Sequence, residues 1–432
     1  MPNSIATESR SHLDNTYPIS HERSIDRQLR LLLIVYLVAL VFLAPFGVSY
    51  GPVNMYLSDV LSLAMFVLCF GYLAVGVRMT LTLTFPIACL IFFVFLEVVL
   101  PILGVGLHGG LSYVSSTIRA LLVWGPALLF FALYRGRLET LLSGVEKTLK
   151  IGLVLSAIVV VSQAMIFYGF LPELFNIKRY LVDFAVNPSR FEWSSSRFTA
   201  LFSNPTSLAA FAVISLSYFL ARYIVTRNKS YLRYLAVAIF ILVLAVSRAA
   251  LASGVLIVLA ALPLLGAKWF LLKLPVLFGS VAALVASLRL FGFDATRTFN
   301  RLSRLQAGVT EDYSFAQRLF VIWPTRLEEA QAYPLGTLTN PTTIIGTIDS
   351  GYLTYYIKSP LILVAVVALL ASLFFFGIRA YTGRYSFYSL LGFFVGIYLF
   401  LTMVISNPVN SPLPAFFLTL ALFGASRYRR GF

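Results

Sequence analysis

Apolar runs close to twenty residues long recur along this chain from about residue 31 to the C-terminus, for example over 80–101 and 113–134. Lipid offers no hydrogen-bond partner to a peptide group, so each run must pair its backbone internally as a helix or laterally in a closed barrel. Barrel strands alternate apolar and polar residues, and these runs do not. Of the 432 residues, 59% are hydrophobic and 12% charged, against about 25% charged in a soluble domain. The chain therefore reads as an all-α polytopic membrane protein. Its +16 net charge fits a topology signal and contact with anionic membrane lipids, not nucleic acid. Cys69 and Cys89 lie in apolar runs and suggest neither a disulfide framework nor a metal site.

Twelve spans are predicted: 31–49, 57–76, 80–101, 113–134, 150–170, 205–225, 232–247, 249–266, 270–290, 352–376, 386–405 and 412–426. Residues 1–30 are polar and mixed in charge and read as a cytoplasmic N-terminal tail, with 31–290 as the first nine spans. Residues 352–432 supply the last three spans and a basic C-terminus. Arg78, Arg135, Arg137, Lys147, Lys150, Arg222, Arg227, Lys229 and Arg233 fall on one side with Lys268, Lys273, Arg379, Arg384 and Arg427. The positive-inside rule makes that side cytoplasmic.

The stretch from Leu235 to Leu265 would measure roughly 45 Å as one helix, against a hydrocarbon core of ~30 Å. Read as a single span it inverts everything after it. Read as a hairpin folded at Ser247-Arg248, it keeps the basic clusters inside and places Arg248 at a membrane face. A guanidinium there costs several kcal/mol unless water, an anion or an acid receives it. Asp349 and Glu192 are alternative partners.

Four segments face outward: 102–112, 171–204, the Ser247-Arg248 turn, and a long loop over 291–351. In the second, Asn204-Pro205 is a helix start, a side-chain cap followed by the residue that needs no amide partner. Arg197 stands seven residues before Asn204, over the bundle mouth, where it binds substrate or anchors to lipid phosphate. In the long loop, Arg297, Arg301 and Arg304 share one helical face, opposite Phe299, Leu302 and Leu305, as in a basic surface helix. Ser314-Phe-Ala-Gln317 reads as a capping box opening a helix to about Ala332, kinked at Pro324. Arg318, in its first turn, gains nothing from the helix dipole and is a candidate anion ligand. Arg326 is placed to pair with Glu328 or Glu329. Asp349 stands where the loop re-enters the membrane, as a helix cap or as a base. His108 is the one histidine outside the N-terminal tail and reads as solvated.

From Arg197 to Leu353 these pieces resemble, in order and spacing, the O-antigen ligase/polymerase (Wzy/WaaL-type) superfamily of bacterial membrane glycosyltransferases. They are Arg197-Phe-Thr-Ala-Leu-Phe-Ser-Asn204-Pro205, Ser247-Arg248-Ala-Ala, a large outer loop with Ser314 and Arg318, Tyr333-Pro334-Leu-Gly336, and Asp349-Ser350-Gly-Tyr352-Leu353. Ala200 stands where the pattern usually has glycine, and Thr206 where it has asparagine. Ligases of the family carry a histidine where this chain has Asp349-Ser350, so the resemblance favours the polymerase branch.

The resemblance implies about a dozen helices, one large periplasmic loop with short helices, and an inner-membrane location. It also implies polymerisation of O-antigen or exopolysaccharide repeat units carried on a polyprenyl diphosphate, without metal or other cofactor and with inversion. A chain-length regulator protein is a further partner it suggests. Arg248 and Arg318 are then expected to hold the diphosphate, with Arg197 assisting, Asp349 orienting or deprotonating the acceptor hydroxyl, and Tyr352 binding sugar. Phe191, Trp193, Tyr313, Trp323 and Tyr333 are further stacking candidates. A ligase, or a transporter or flippase of lipid-linked glycan, are the alternatives.

Overall fold

The computed structural model describes residues 19–43, 46–50, 53–77, 79, 83–108, 111–134, 138–181, 198–266, 316–383 and 385–428. The predicted span 270–290, the basic helix around Arg297, Arg301 and Arg304, Ser314 and Arg197 lie outside them. Of the described helices, seven are long and apolar enough to cross a membrane, and three shorter ones are apolar as well. The protein is a multi-pass helical membrane protein.

Helix α1 runs Ile19–Phe42, so the helix starts before the span predicted over 31–49 and ends sooner. Leu29, Leu33, Tyr36, Leu37 and Leu40 form one buried stripe at helical spacing, and the Tyr72 hydroxyl donates to the Gln28 side chain. At the other end the chain leaves the helix and pairs as a hairpin, β1 (Gly47–Tyr50) with β2 (Val53–Tyr56), Gly47 opposite Tyr56.

Helices α2 (Leu57–Ala74), α3 (Phe85–His108), α4 (Leu111–Leu133) and α5 (Leu138–Phe167) follow. The outward loop predicted over 102–112 is therefore mostly helix. Short α6 (Ile177–Leu181) precedes α7 (Pro205–Thr226), which starts as predicted, with the Asn204 side chain accepting from Ser207 N at 2.8 Å. The chain then breaks where the hairpin reading placed it. Helix α8 (Ser230–Ala245) ends at Val246 in the left-handed region (φ +47), and α9 (Arg248–Leu265) begins two residues on.

After a five-residue π turn at Arg318–Ile322 comes α10 (Trp323–Ala330). The helix predicted to Ala332 thus has its irregularity one turn before Pro324, which sits harmlessly in the first turn of α10. The single span predicted over 352–376 is two helices, α11 (Gly351–Lys358) and α12 (Pro360–Tyr381), separated by extended Ser359. Pro360 forces that break, because the residue before a proline is excluded from helical geometry. Helices α13 (Phe387–Thr402) and α14 (Pro412–Tyr428) complete the chain.

Helices α12 and α13 pack antiparallel, with Gly396 against Leu373 and Gly377 against Phe393. Small residues permit that close approach. Continuing this register sets Thr402 opposite about residue 367. Pro360 then stands roughly seven residues, about 10 Å, beyond the end of α13. Helix α9 is similarly short, and its far end is fixed where Tyr381 Oη donates to Ala260 O (2.7 Å). The α8–α9 and α13–α14 connections therefore lie recessed below the end of α12. We call this the recessed end. The opposite, basic end carries Arg227, Arg379 and Arg427; Arg227 donates to Leu264 O (2.9 Å) and Arg427 to Phe131 O (2.9 Å).

Candidate functional site

Non-helical backbone fills the recess. Residues 331–350 descend between α4 and α11, and Thr337, Leu338 and Thr339 are buried. Their polar groups are met one by one: Thr337 N donates to Ile357 O (2.9 Å), Leu338 N to Lys358 O (3.0 Å), and the Ser116 and Thr339 hydroxyls share a bond of 2.7 Å. Irregular backbone inside a membrane bundle persists only where protein buries it or where it lines a cavity. Here it does both. Gly336 makes the descent possible: it takes φ +84, and a Cβ there would collide with the Lys358 carbonyl.

The cavity beside this segment measures about 450 Å³ and is bounded by α3, α4, α11, residues 340–350 and the α13–α14 connection. Four charged side chains line it: Glu97, Arg119, Asp349 and Lys358. Glu97 and Lys358 form an ion pair of 2.9 Å and are only 2% and 4% exposed. Breaking such a pair from one side costs far more than an exposed pair does, because the remaining charge keeps no partner. On α4, Ser116, Arg119, Ala120 and Val123 recur at helical spacing and face the cavity together.

At the mouth, Arg318 Nε meets Asp349 Oδ2 at 3.3 Å. The two side chains are 26% and 40% exposed, so the pair is a weak latch, worth about 0–1 kcal/mol. Trp323 Nε1 adds a second tie to Ile348 O (3.1 Å). Arg318 also opens the π turn, an irregularity often found at functional sites. Asp349 is not the helix cap: Ser350 Oγ accepts from Leu353 N, while Asp349 adopts φ +52. Aspartate tolerates this left-handed conformation better than most residues, and it turns the carboxylate away from α11 toward the cavity and Arg318. Arg326 pairs with Glu329 at 2.6 Å and presses on Gly346, another positive-φ glycine.

Arg248 is the first residue of α9, which packs against α7 and α13, and it lies at the recessed end. It does not line the cavity. The Tyr352 hydroxyl donates to Phe400 O (2.9 Å) and its ring packs edge-on against Phe400; it does not line the cavity. Arg197 is followed immediately by a tightly held turn. Gln163 Oε1 accepts from the Thr199 and Ala200 amides (3.1 and 3.0 Å). Lys178, 1% exposed, donates to Thr199 Oγ1 (2.7 Å) and Phe202 O (2.8 Å). Burial lowers the Lys178 pKa to about 7, since removal from water disfavours the ammonium form.

The structure thus joins Arg318 to Asp349 and adds three charged residues absent from the sequence-based site: Glu97, Arg119 and Lys358. Their signal was present, as each is an ionisable residue inside or beside a run assigned to the membrane, where such residues are uncommon and usually functional. No family model matches the chain, and no curated protein matches it in sequence.

Proposed function

We propose that the protein is a polysaccharide polymerase of the O-antigen ligase/polymerase type, joining repeat units carried on a polyprenyl diphosphate. The observation that carries this reading is the Arg318–Asp349 pair at the mouth of a polar, recessed cavity. A cation and a carboxylate there suit a reaction that must stabilise a departing diphosphate and take up a proton. The left-handed backbone at Ala200 (φ +47) adds support. It falls where the family pattern usually has glycine, the residue that adopts such angles without strain.

In this mechanism the acceptor hydroxyl oxygen attacks C1 of the donor sugar. The C1–O bond to the diphosphate breaks and the diphosphate leaves with the electron pair. The anomeric centre inverts, and the hydroxyl proton passes to Asp349. Arg318 swings from Asp349 to the developing negative charge, which frees the carboxylate as it engages the phosphate. Arg248 and Arg197 are assigned to the same diphosphate. Guanidinium suits the role, being permanently charged and able to bind phosphate oxygens in pairs.

The reading has the protein in the bacterial inner membrane with twelve crossings and the recessed end facing the periplasm. The basic residues gathered at the other end support that orientation. Helix α9 ends at the basic end while Arg318 stands at the recessed end, which supports the ninth crossing proposed over 270–290.

The test uses purified protein in lipid nanodiscs with lipid-linked repeat units. Wild type is expected to lengthen the glycan unaided. Arg248→Ala and Arg318→Ala are each expected to slow lengthening by roughly 10²–10³, and Asp349→Asn to do the same. Unchanged polymer length in both arginine variants would remove them from the chemistry. Transfer to a different acceptor would instead identify a ligase, and movement of the lipid across a bilayer without lengthening would identify a flippase.

A further inference from the structure

Two polar acceptors in this cavity have no hydrogen-bond partner among the described residues. Glu97 gives one carboxylate oxygen to Lys358 and leaves Oε1 buried and unbonded, and Asn407 Oδ1 is buried and unbonded as well. Both side chains line the cavity. A third feature has the opposite polarity. Arg119 faces the cavity and makes no hydrogen bond or ion pair among the described residues, whereas Glu97 and Asp349 each already hold a cation. Asp59 on α2 lies within electrostatic reach of Arg119, but its carboxylate is committed to the Tyr56 amide at 3.1 Å and does not line the cavity.

We propose that this cavity binds a carboxylate-bearing sugar residue, of the uronic acid class. Arg119 takes the carboxylate through its paired N–H donors, and Glu97 Oε1 and Asn407 Oδ1 each accept a sugar hydroxyl. The assignment rests on the polymerase reading and deepens it by naming the substrate class. A diphosphate fits the same lining poorly. It brings acceptors only, so it leaves both free oxygens unanswered and sets its own charge against the Glu97 carboxylate. A neutral hexose satisfies the two oxygens and leaves Arg119 idle. A uronic acid meets all three, and the cavity falls within the ~300–1,000 Å³ usual for small-molecule sites. In this arrangement Glu97 is a substrate ligand, and Lys358 a positioning residue that holds its other oxygen.

The experiment measures binding of three free probes, D-glucuronate, D-glucose and inorganic diphosphate, to the full-length protein in nanodiscs without donor lipid. Wild type is expected to bind glucuronate at least roughly tenfold more tightly than glucose, a ratio that one charged hydrogen-bonded contact supplies. Arg119→Gln is expected to abolish the preference while leaving glucose binding unchanged, and Arg119→Lys to restore part of it. Glu97→Gln is expected to weaken both sugars. Arg119 is exposed, so its variants are expected to fold, and they decide the matter if Glu97→Gln does not.

Equal affinity for the two sugars, or no binding of either, overturns the proposal. So does a preference that survives Arg119→Gln, or displacement of glucuronate by diphosphate, which would give Arg119 to the lipid carrier. Glycan lengthening by a wild type that ignores glucuronate would sink this inference alone. Glucuronate binding without lengthening would sink the polymerase reading alone.

Discussion

The two ends of the bundle treat an inward-facing carboxylate differently. At the basic end, Glu146 is surrounded: Lys150 at 2.6 Å and Arg222 at 3.5 Å form ion pairs, and Tyr231 Oη donates at 3.1 Å. Lys150 also lies over the Tyr231 and Tyr234 rings, and Arg222 over Phe387. Among the described residues the Glu146 carboxylate is thus met by two cations and a hydroxyl, although Arg222 Nε makes no hydrogen bond. At the recessed end, Glu97 meets one cation and keeps an oxygen free, Asp349 is lightly held, and Arg119 faces open space. Equivalent residue types therefore serve two purposes. A carboxylate shared by two cations ties helices together, whereas the Glu97 carboxylate keeps one oxygen unbonded beside a cavity.

The largest effect expected of this contrast is on stability. Glu97→Ala leaves Lys358 charged and buried, and thermal or denaturant unfolding in detergent is expected to show a loss of about 3–5 kcal/mol. Glu146→Ala, whose partners reach water, should cost about 1 kcal/mol. If the two variants unfold alike, the distinction between the ends fails. Arg318→Ala sharpens the comparison from the functional side. It is expected to change stability by less than about 1 kcal/mol while lowering glycan lengthening roughly 10²–10³-fold. A stability loss matching the activity loss would make the Arg318–Asp349 pair an anchor.

Gly336→Ala tests whether the descending segment shapes the cavity. Its positive φ and the nearby Lys358 carbonyl predict a loss of about 1–3 kcal/mol, with sugar binding weakened in parallel. Cavity ligands that bind as before would detach the segment from the site.

A further effect, spread over several pH units, concerns Lys178, at the recessed end but outside the spans. Its pKa falls from 10.5 to about 7 on burial, so between those values the unfolded chain holds a proton that the folded chain has released. Stability therefore rises with pH across that window, by at most about 1.4 kcal/mol per unit. The gain is complete above 10.5 and lost as pH falls to 7. Lys178→Met should remove this slope from unfolding curves recorded between pH 7 and 10. A slope unchanged in the variant would assign it to other groups.

Much of the bundle was legible because lipid leaves a backbone few choices. The helix start at Asn204-Pro205 and the break at Ser247-Arg248 follow from local chemistry and from matching helix length to bilayer thickness, and both appear where they were read. The Arg326–Glu329 pair is similar, since its spacing is set by one helical turn. Misplaced boundaries have equally physical causes. Charged and polar side chains dominate residues 19–30 and mask the helical stripe that begins at Leu29, which is buried. Apolar character continues across Ser359-Pro360, which hid the division of α11 from α12. Of the candidate site, Arg318, Asp349 and Arg248 stand out by charge in unexpected places, and of the two roles open to Asp349, cap or base, the cap falls to Ser350.

By itself the sequence determined that this chain is a multi-pass membrane protein and that its apolar runs are helices. These are properties of single segments meeting a uniform solvent. Tertiary structure alone decided that Glu97 on α3 meets Lys358 on α11, 261 positions apart, and that Arg119 on α4 faces the same space. Such pairing depends on helix register and on how deep each helix stops, and neither is written in any local stretch of residues.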